Sequence, residues 1–305
     1  MLRAALGPTI SAYLQDASVT EVMLNPDGRL WIDRLIGGIE STGAHVNPTE
    51  AERILRLIAD HVGAEVHANC PRLSAELPET GERFEGLVPP VVVAPCFAIR
   101  RLAIAVYTLD DYVTAGIMSA EHAELLRVSV RDRKNVLVVG GTSTGKTTLV
   151  NALLAEIAKF GDRIVLIEDT RELQCTAPNL VALRTKDGVA SLSDLVRSAL
   201  RLRPDRIPIG EVRGPEALDL LKAWGTGHPG GVCTLHAGSA LGALHRLEQL
   251  VQETVVTVPR ALIAETIDLI VVLSGRGSAR RLIELAAVEG LSADGDYVLI
   301  PAGEP

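Results

Sequence analysis

The stretch Asn135-Val-Leu-Val-Val139-Gly140-Gly141-Thr142-Ser143-Thr144-Gly145-Lys146-Thr147-Thr148 joins an unbroken apolar run to a glycine-rich loop and then to a helical pattern over 148–158. An apolar run without alternation is the pattern of a strand buried on both faces. The loop satisfies G-x-x-x-x-G-K-[ST], and the strand before it and helix after it give that spacing its physical sense. Small residues at Gly140, Gly141 and Gly145 let the backbone wrap closely, so that successive N–H groups from Gly140 to Thr148 can converge on phosphate oxygens. Lys146 is then placed to reach the β- and γ-phosphates, and the Thr147 hydroxyl to meet Mg²⁺. A plain glycine turn with a solvated lysine would not require the flanking strand and helix.

Working outward, strands and helices alternate. Strand patterns at 135–140, 163–168, 206–211, 231–236 and 268–274 are interleaved with helix patterns at 146–159, 191–203, 215–224 and 239–252. This alternation predicts an α/β domain with a largely parallel sheet covered by helices, over residues 106–305. Residues 1–105 read instead as a smaller α+β domain. Strand-like runs at 20–24 and 29–34 flank the turn Asn25-Pro-Asp-Gly28, which predicts a hairpin. A helix is expected over 48–62, with Ala51, Leu55, Ile58 and Val62 inward. Antiparallel strands are expected at 72–77, 83–88 and 96–103, the first pair joined through Pro78-Glu-Thr-Gly81.

Composition narrows the function. The 305 residues are 47% hydrophobic and 22% charged, ordinary for a folded soluble chain. A net charge of −8 and an aromatic content of 3% provide neither a basic field nor stacking rings, so sequence-specific nucleic-acid binding is not expected. Cys70, Cys96, Cys175 and Cys233 form no CxxC pair, which argues against a zinc site or a disulfide framework and fits a reducing cytosol. The first 18 residues lack the apolar core of a signal peptide, and the longest apolar runs are far short of a membrane span. Any membrane role is therefore expected to be peripheral.

Two acidic clusters follow predicted parallel strands, at the ends where open α/β sheets bind ligands. Glu168-Asp-Thr-Arg-Glu172 follows Ile-Val-Leu-Ile, and Glu211 follows Ile207-Pro-Ile-Gly210. Such acids are commonly solvated loop residues. With the phosphate loop expected on the neighbouring strand, Glu168 and Glu211 become candidates to hold Mg²⁺, Glu211 in particular, and to orient or deprotonate the attacking water. Pro208 sits inside this strand pattern and removes a ladder donor, so the strand either pairs on one side there or is distorted. His228 and His236 lie in a glycine-rich run near a fourth strand; a γ-phosphate sensor is one role for them and ordinary structure the other. The helix over 191–203 opens with a capping-box pattern, Ser191-x-x-Asp194, and turns Leu192, Leu195, Val196, Ala199, Leu200 and Leu202 inward. Arg83, Arg100 and Arg101 fall on N-terminal strands, where they are either sheet-face charges or phosphate-binding groups.

The order of these segments resembles the Walker A, Asp, Walker B and His boxes of the secretion-ATPase superfamily. They are the phosphate loop, Ile167-Glu-Asp-Thr-Arg-Glu-Leu-Gln174, Leu202-Arg-Pro-Asp-Arg206 with Gly210-Glu-Val-Arg-Gly214, and Thr226-Gly-His-Pro-Gly230 with Thr234-Leu-His236-Ala. The chain is similar to the conjugal transfer ATPases of the TrbB type, traffic ATPases of type IV secretion systems, over nearly its whole length, and the likeness includes Cys96-Phe-Ala-Ile-Arg-Arg101. The resemblance implies a RecA-like P-loop ATPase domain behind a smaller mixed-sheet domain. It also implies ATP and Mg²⁺ as ligands, and a homo-hexameric ring on the cytoplasmic face of the inner membrane, working with inner-membrane components of a secretion machine. His236 would join Lys146, Glu168 and Glu211 in catalysis. Arg83, Arg100 and Arg101 would supply phosphate-binding cations from the N-terminal domain. The competing readings are a nucleotide-dependent switch with little hydrolysis and a RecA-like nucleic-acid translocase.

Overall fold

In the N-terminal half, apolar residues on one face of α2 and of most strands collect into a single core. The computed structural model describes residues 2–34, 37–77, 80–101, 107–186 and 188–303. It divides the chain into two units, Met1–Ile104 and Ala105–Pro305. The expected joint near residue 105, the end of the strand expected over 96–103, and Pro78 and Glu79 of the expected turn lie outside the described residues.

The first unit runs α1 (Leu2–Gln15), β1 (Val19–Leu24), β2 (Arg29–Arg34), β3 (Gly38–His45), α2 (Pro48–Val62), β4 (Arg72–Glu76), β5 (Arg83–Leu87) and β6 (Cys96–Arg100). Its strands form one sheet in the order β3-β2-β1-β6-β5-β4, antiparallel throughout. The hairpin of β1 and β2 closes where predicted, because Gly28 adopts φ +81° beside Pro26 and Asp27. α2 starts at Asn47, whose side chain accepts from the Glu50 N–H, and stops at Gly63 in the left-handed conformation. Ile54, Leu55 and Ile58 of α2 pack with Val22, Phe84, Phe97 and Ile99 of the sheet. Val62, expected inward, is exposed at the last turn, and Ile54 is buried in the same face. β3 carries almost no apolar residue on either face, so it gave no strand signal; it forms by pairing with β2 at the sheet edge.

The second unit runs α3 (Leu109–Thr114), α4 (Ala120–Arg131), β7 (Val136–Gly140), α5 (Lys146–Ile157), β8 (Ile164–Glu168), β9 (Leu180–Arg184), α6 (Leu192–Ala199), β10 (Ile209–Glu211), α7 (Glu216–Gly225), β11 (Val232–Leu235), α8 (Ala240–Gln252), α9 (Arg260–Thr266), β12 (Leu269–Ser274), β13 (Arg281–Leu291) and β14 (Tyr297–Pro301). The sheet order is β14-β13-β12-β7-β11-β10-β8-β9. From β12 to β9 every neighbouring pair is parallel, and β13 and β14 close one edge antiparallel. The largely parallel α/β sheet is thus present. β7 lies in its interior, paired on both sides and buried at all five residues. Two cores flank the sheet: α4 and α5 pack on one face, and α6, α7 and α8 on the other.

Two predicted elements are shorter than their patterns. The capping box of Ser191 and Asp194 forms in full, yet α6 ends at Ala199; Leu200 is exposed and Arg203 takes φ +55°. β10 begins only at Ile209, so Pro208 stands just outside it, and its carbonyl still accepts from the Ile167 N–H at 3.0 Å. The pairing with β11 shifts register between Ile209 and Glu211. The strand is therefore both truncated and distorted, as a missing backbone donor demands.

Candidate functional site

The phosphate loop leaves β7 through backbone that admits little but glycine. Gly140 has φ +155°, and a methyl group there would sit 2.4 Å from the Leu273 carbonyl oxygen. Gly145 has φ +91° and caps α5 without any side-chain bond. Ser143, at φ +65°, is in the left-handed region as well, a conformation uncommon outside glycine. Thr144 Oγ1 donates to the Gly141 carbonyl at 2.9 Å and braces the loop from inside. Thr142 and Ser143 are exposed, and Thr148 is half-buried in the first turn of α5.

Lys146 opens α5 and is buried at 8% exposure. Its Nζ donates to the Gly140 and Gly141 carbonyls at 3.1 and 3.0 Å, and lies 3.3 Å from His236 Nδ1. The other ring nitrogen, His236 Nε2, lies 3.0 Å from Glu211 Oε1. Burial and the Lys146 ammonium hold the imidazolium pKa below the usual histidine range, against the opposing pull of Glu211. A neutral ring accepts from Lys146 at Nδ1; Nε2 stands close to Glu211 Oε1, a buried oxygen that accepts no hydrogen bond among the described residues. Glu211 Oε2 accepts from Arg213 Nη2 at 2.5 Å.

The strand order corrects one expectation. Neither acidic strand neighbours β7: β11 intervenes, and β10 and β8 follow beyond it. Ile209 of β10 does pair with Ile167 of β8, so Glu211 and Glu168 end adjacent strands. Because β11 lies between β7 and β10, His236, just past its end, links the loop lysine to Glu211. Its fellow histidine is elsewhere, with His228 Nδ1 3.0 Å from the Pro204 carbonyl.

Glu168 is buried at 3% exposure, and its Oε2 accepts the N–H groups of Glu172 and Leu173 at 2.9 Å each. Burial raises its pKa, and those two N–H groups act in the opposite direction. The carboxylate folds the segment after β8 back on itself and thereby presents Glu172. Glu172 Oε2 accepts from Thr147 Oγ1 at 3.2 Å, and its carbonyl accepts from Asn151 Nδ2 at 3.1 Å. In the sequence, Glu172 stands only as the last member of an acidic run. Its signal was its place four residues past Glu168, which becomes decisive only once the loop is folded.

Residues 69–284 match the family described as type II/IV secretion system protein. The chain belongs to this family. It is 48% identical to the conjugal transfer protein TrbB of Rhizobium radiobacter over 291 residues, covering 95% of this chain and 90% of that protein. The solved structure of the VirB11 ATPase from the Brucella suis type IV secretion system, in complex with sulphate, is 28% identical, covers 94% of both chains and superposes with a TM-score of 0.51. The pilus retraction motor PilT with bound ADP covers 96% of this chain and 80% of its own, at a TM-score of 0.63 and 18% identity, a likeness of fold alone.

For a member of a secretion-ATPase family, the three N-terminal arginines are placed unequally. Arg83 and Arg100 are direct cross-strand partners on β5 and β6, and Arg100 also faces Glu21 of β1. Two like charges side by side on a sheet repel unless an acid or a bound anion lies beside them. Arg101 is committed to the backbone: its Nη1 donates to the Asp16 carbonyl and, at 3.0 Å, to that of Val19. No helix among the described residues is long and apolar enough to cross a membrane.

Proposed function

We propose that the chain binds ATP on the Gly140–Thr148 loop and hydrolyses it with Mg²⁺. As a homo-hexameric ring on the cytoplasmic face of the inner membrane, it uses that turnover to drive domain motion, powering pilus assembly or substrate transfer by a type IV secretion or conjugal transfer machine. One observation carries the reading: three separate segments bring Lys146, His236 and Glu211 into a continuous line of contacts at the C-terminal ends of parallel strands, where such sheets bind ligands.

The glycine-rich loop suits a phosphate chain: Gly140 at φ +155° and Gly145 at φ +91° take conformations that let its backbone curl tightly into the start of α5. Lys146 supplies the cation for the β- and γ-phosphates. Glu211 is the acid best supported as the group that orients water, since His236 couples its carboxylate to the lysine. Glu168 acts through the segment it folds, which sets Glu172 against Thr147. Mg²⁺, when bound, offsets phosphate charge; the Thr147 hydroxyl, with Glu172 beside it, and Glu211 are the groups that would hold it. Arg83 and Arg100 are the N-terminal groups proposed to add positive charge as the phosphoryl group transfers; Arg101 shares that proposal with less freedom to move.

Steady-state ATPase measured with and without DNA tests the function. Mg²⁺-dependent turnover that DNA leaves unchanged is the expected result. Strong, salt-sensitive stimulation by DNA would favour a translocase instead, and ATP binding without turnover would favour a switch.

A further inference from the structure

The segment between β12 and β13 folds back tightly on itself beside the phosphate loop. Leu273, next to the end of β12, pairs with Gly140, and its carbonyl closes on that glycine's α-carbon. Gly275 then turns at φ +77°, where a methyl group would lie 2.1 Å from the Ala279 carbonyl oxygen. A short 3₁₀ turn, Gly277–Ala279, completes the return. The Leu282 N–H is fixed to the Ile117 carbonyl at 2.8 Å. The result of this close-packed turn is the position of Arg280.

The Arg280 guanidinium lies directly against Gly145. A methyl group added at Gly145 would stand 2.8 Å from both Cζ and Nε of Arg280, so the side chain fills the space above the N-cap of α5. Arg280 Nε is buried and has no hydrogen-bond partner among the described residues. The hydroxyl of nearby Tyr112 is in the same condition. A buried arginine donor left unmade is costly, and here it calls for a partner from outside the chain. The first-turn N–H groups of α5 and a planar cation together form a strong setting for phosphate oxygens.

We propose that Arg280 is a second phosphate-binding cation of the nucleotide site, supplied from the β12–β13 turn of the same unit as the loop and acting on the phosphate chain where it passes the N-terminus of α5. This rests on the reading of the loop as a nucleotide site. It assigns to the second unit a cation besides Lys146 and is independent of the N-terminal arginines.

Calorimetric titration of the full chain with ATP and, separately, with inorganic tripolyphosphate tests the assignment. Loss of a charge-assisted contact should weaken both ligands about 10- to 100-fold in Arg280→Ala. Arg280→Lys should recover part of the loss. Arg281→Ala, which removes a neighbour whose Nη1 donates to the Ser278 and Arg280 carbonyls, should stay within about threefold of wild type. Should the alanine variant fail to fold, Arg280→Gln, of similar length, carries the same test. ATP affinity within threefold of wild type in the folded variants overturns the proposal. So does weakened ATP binding with tripolyphosphate affinity intact, which would place Arg280 on the nucleoside. A wild-type chain that binds neither ligand removes the nucleotide reading itself, and that failure shows before any variant is made.

Discussion

The Lys146 ammonium reaches both loop carbonyls and the His236 ring. Lys146→Ala should reduce ATP turnover to below about a tenth of wild type, because developing phosphoryl charge loses the side chain placed for it; a phosphate-release assay measures this. The two strand-end glutamates should separate. Glu211→Gln is expected to lower kcat by about 10²-fold or more with ATP still bound, since it removes the charge facing His236. Glu168→Gln should cost less, as an amide oxygen still accepts the Glu172 and Leu173 N–H bonds. Equal losses in the two variants would return Glu168 to the chemistry. His236 sets a pH dependence. Its folded-state pKa is depressed, whereas an unfolded histidine titrates near ~6.5. Below that value the unfolded chain binds the extra proton first, so the stability His236 contributes is present at higher pH and falls as pH drops through the window. Turnover should fall there too, because an imidazolium cannot accept from Lys146; the kcat profile of His236→Gln should lack this acid limb.

At the scale of elements, the ends of the strands opposite the site are held by a buried ion pair. Arg206, just before β10, is 1% exposed. It donates through Nε to Asp162 Oδ2 at 2.6 Å and through Nη1 to the Val130 carbonyl at 2.8 Å. Asp162 Oδ1 accepts from Arg133 at 2.6 Å. α4, β8 and β10 are thereby tied through one carboxylate. Removing it in Asp162→Ala leaves the guanidinium buried without its counter-charge, a loss of about 3–5 kcal/mol. Denaturant unfolding should show that loss, with ATP affinity little changed where the variant is folded. In the sequence, Arg206 belonged to a box that resembles Walker B; the structure gives its side chain to packing. The loop predicts the opposite pattern. Gly145→Ala strains a left-handed residue and drives a methyl group into Arg280, so nucleotide affinity should fall sharply, by more than the modest loss of stability from that strain accounts for.

For the whole molecule, the proposed ring requires each copy of the chain to meet the next through the same contacts until the circle closes. Light scattering at micromolar protein with a non-hydrolysable ATP analogue should report a mass near six chains, and a strict monomer under those conditions would count against the proposal. Arg100→Ala and Arg83→Ala should each lose kcat on the order of 10³- to 10⁵-fold if these groups meet the phosphates. Arg101→Ala should lower kcat as well and, in addition, unsettle the N-terminal unit, where it bonds the carbonyls of Asp16 and Val19.

What the sequence determined by itself was whatever depends on neighbours along the chain. The apolar run of β7, the glycines and Lys146 of the loop, the hairpin at Asn25–Gly28 and the cap at Ser191 are local patterns, set by backbone freedom and side-chain spacing, and all are present. The tertiary structure decided what depends on contacts between distant segments. β3 exists only because β2 pairs with it, and β10 is short because its preceding proline cannot donate to a ladder. The order of strands put β11 between the loop and the acids. It thereby brought His236, 90 residues from Lys146, to 3.3 Å from it. Arg280 and Gly145 meet for the same reason: strand pairing sets which chain ends lie side by side, and no periodicity along one segment encodes its neighbour.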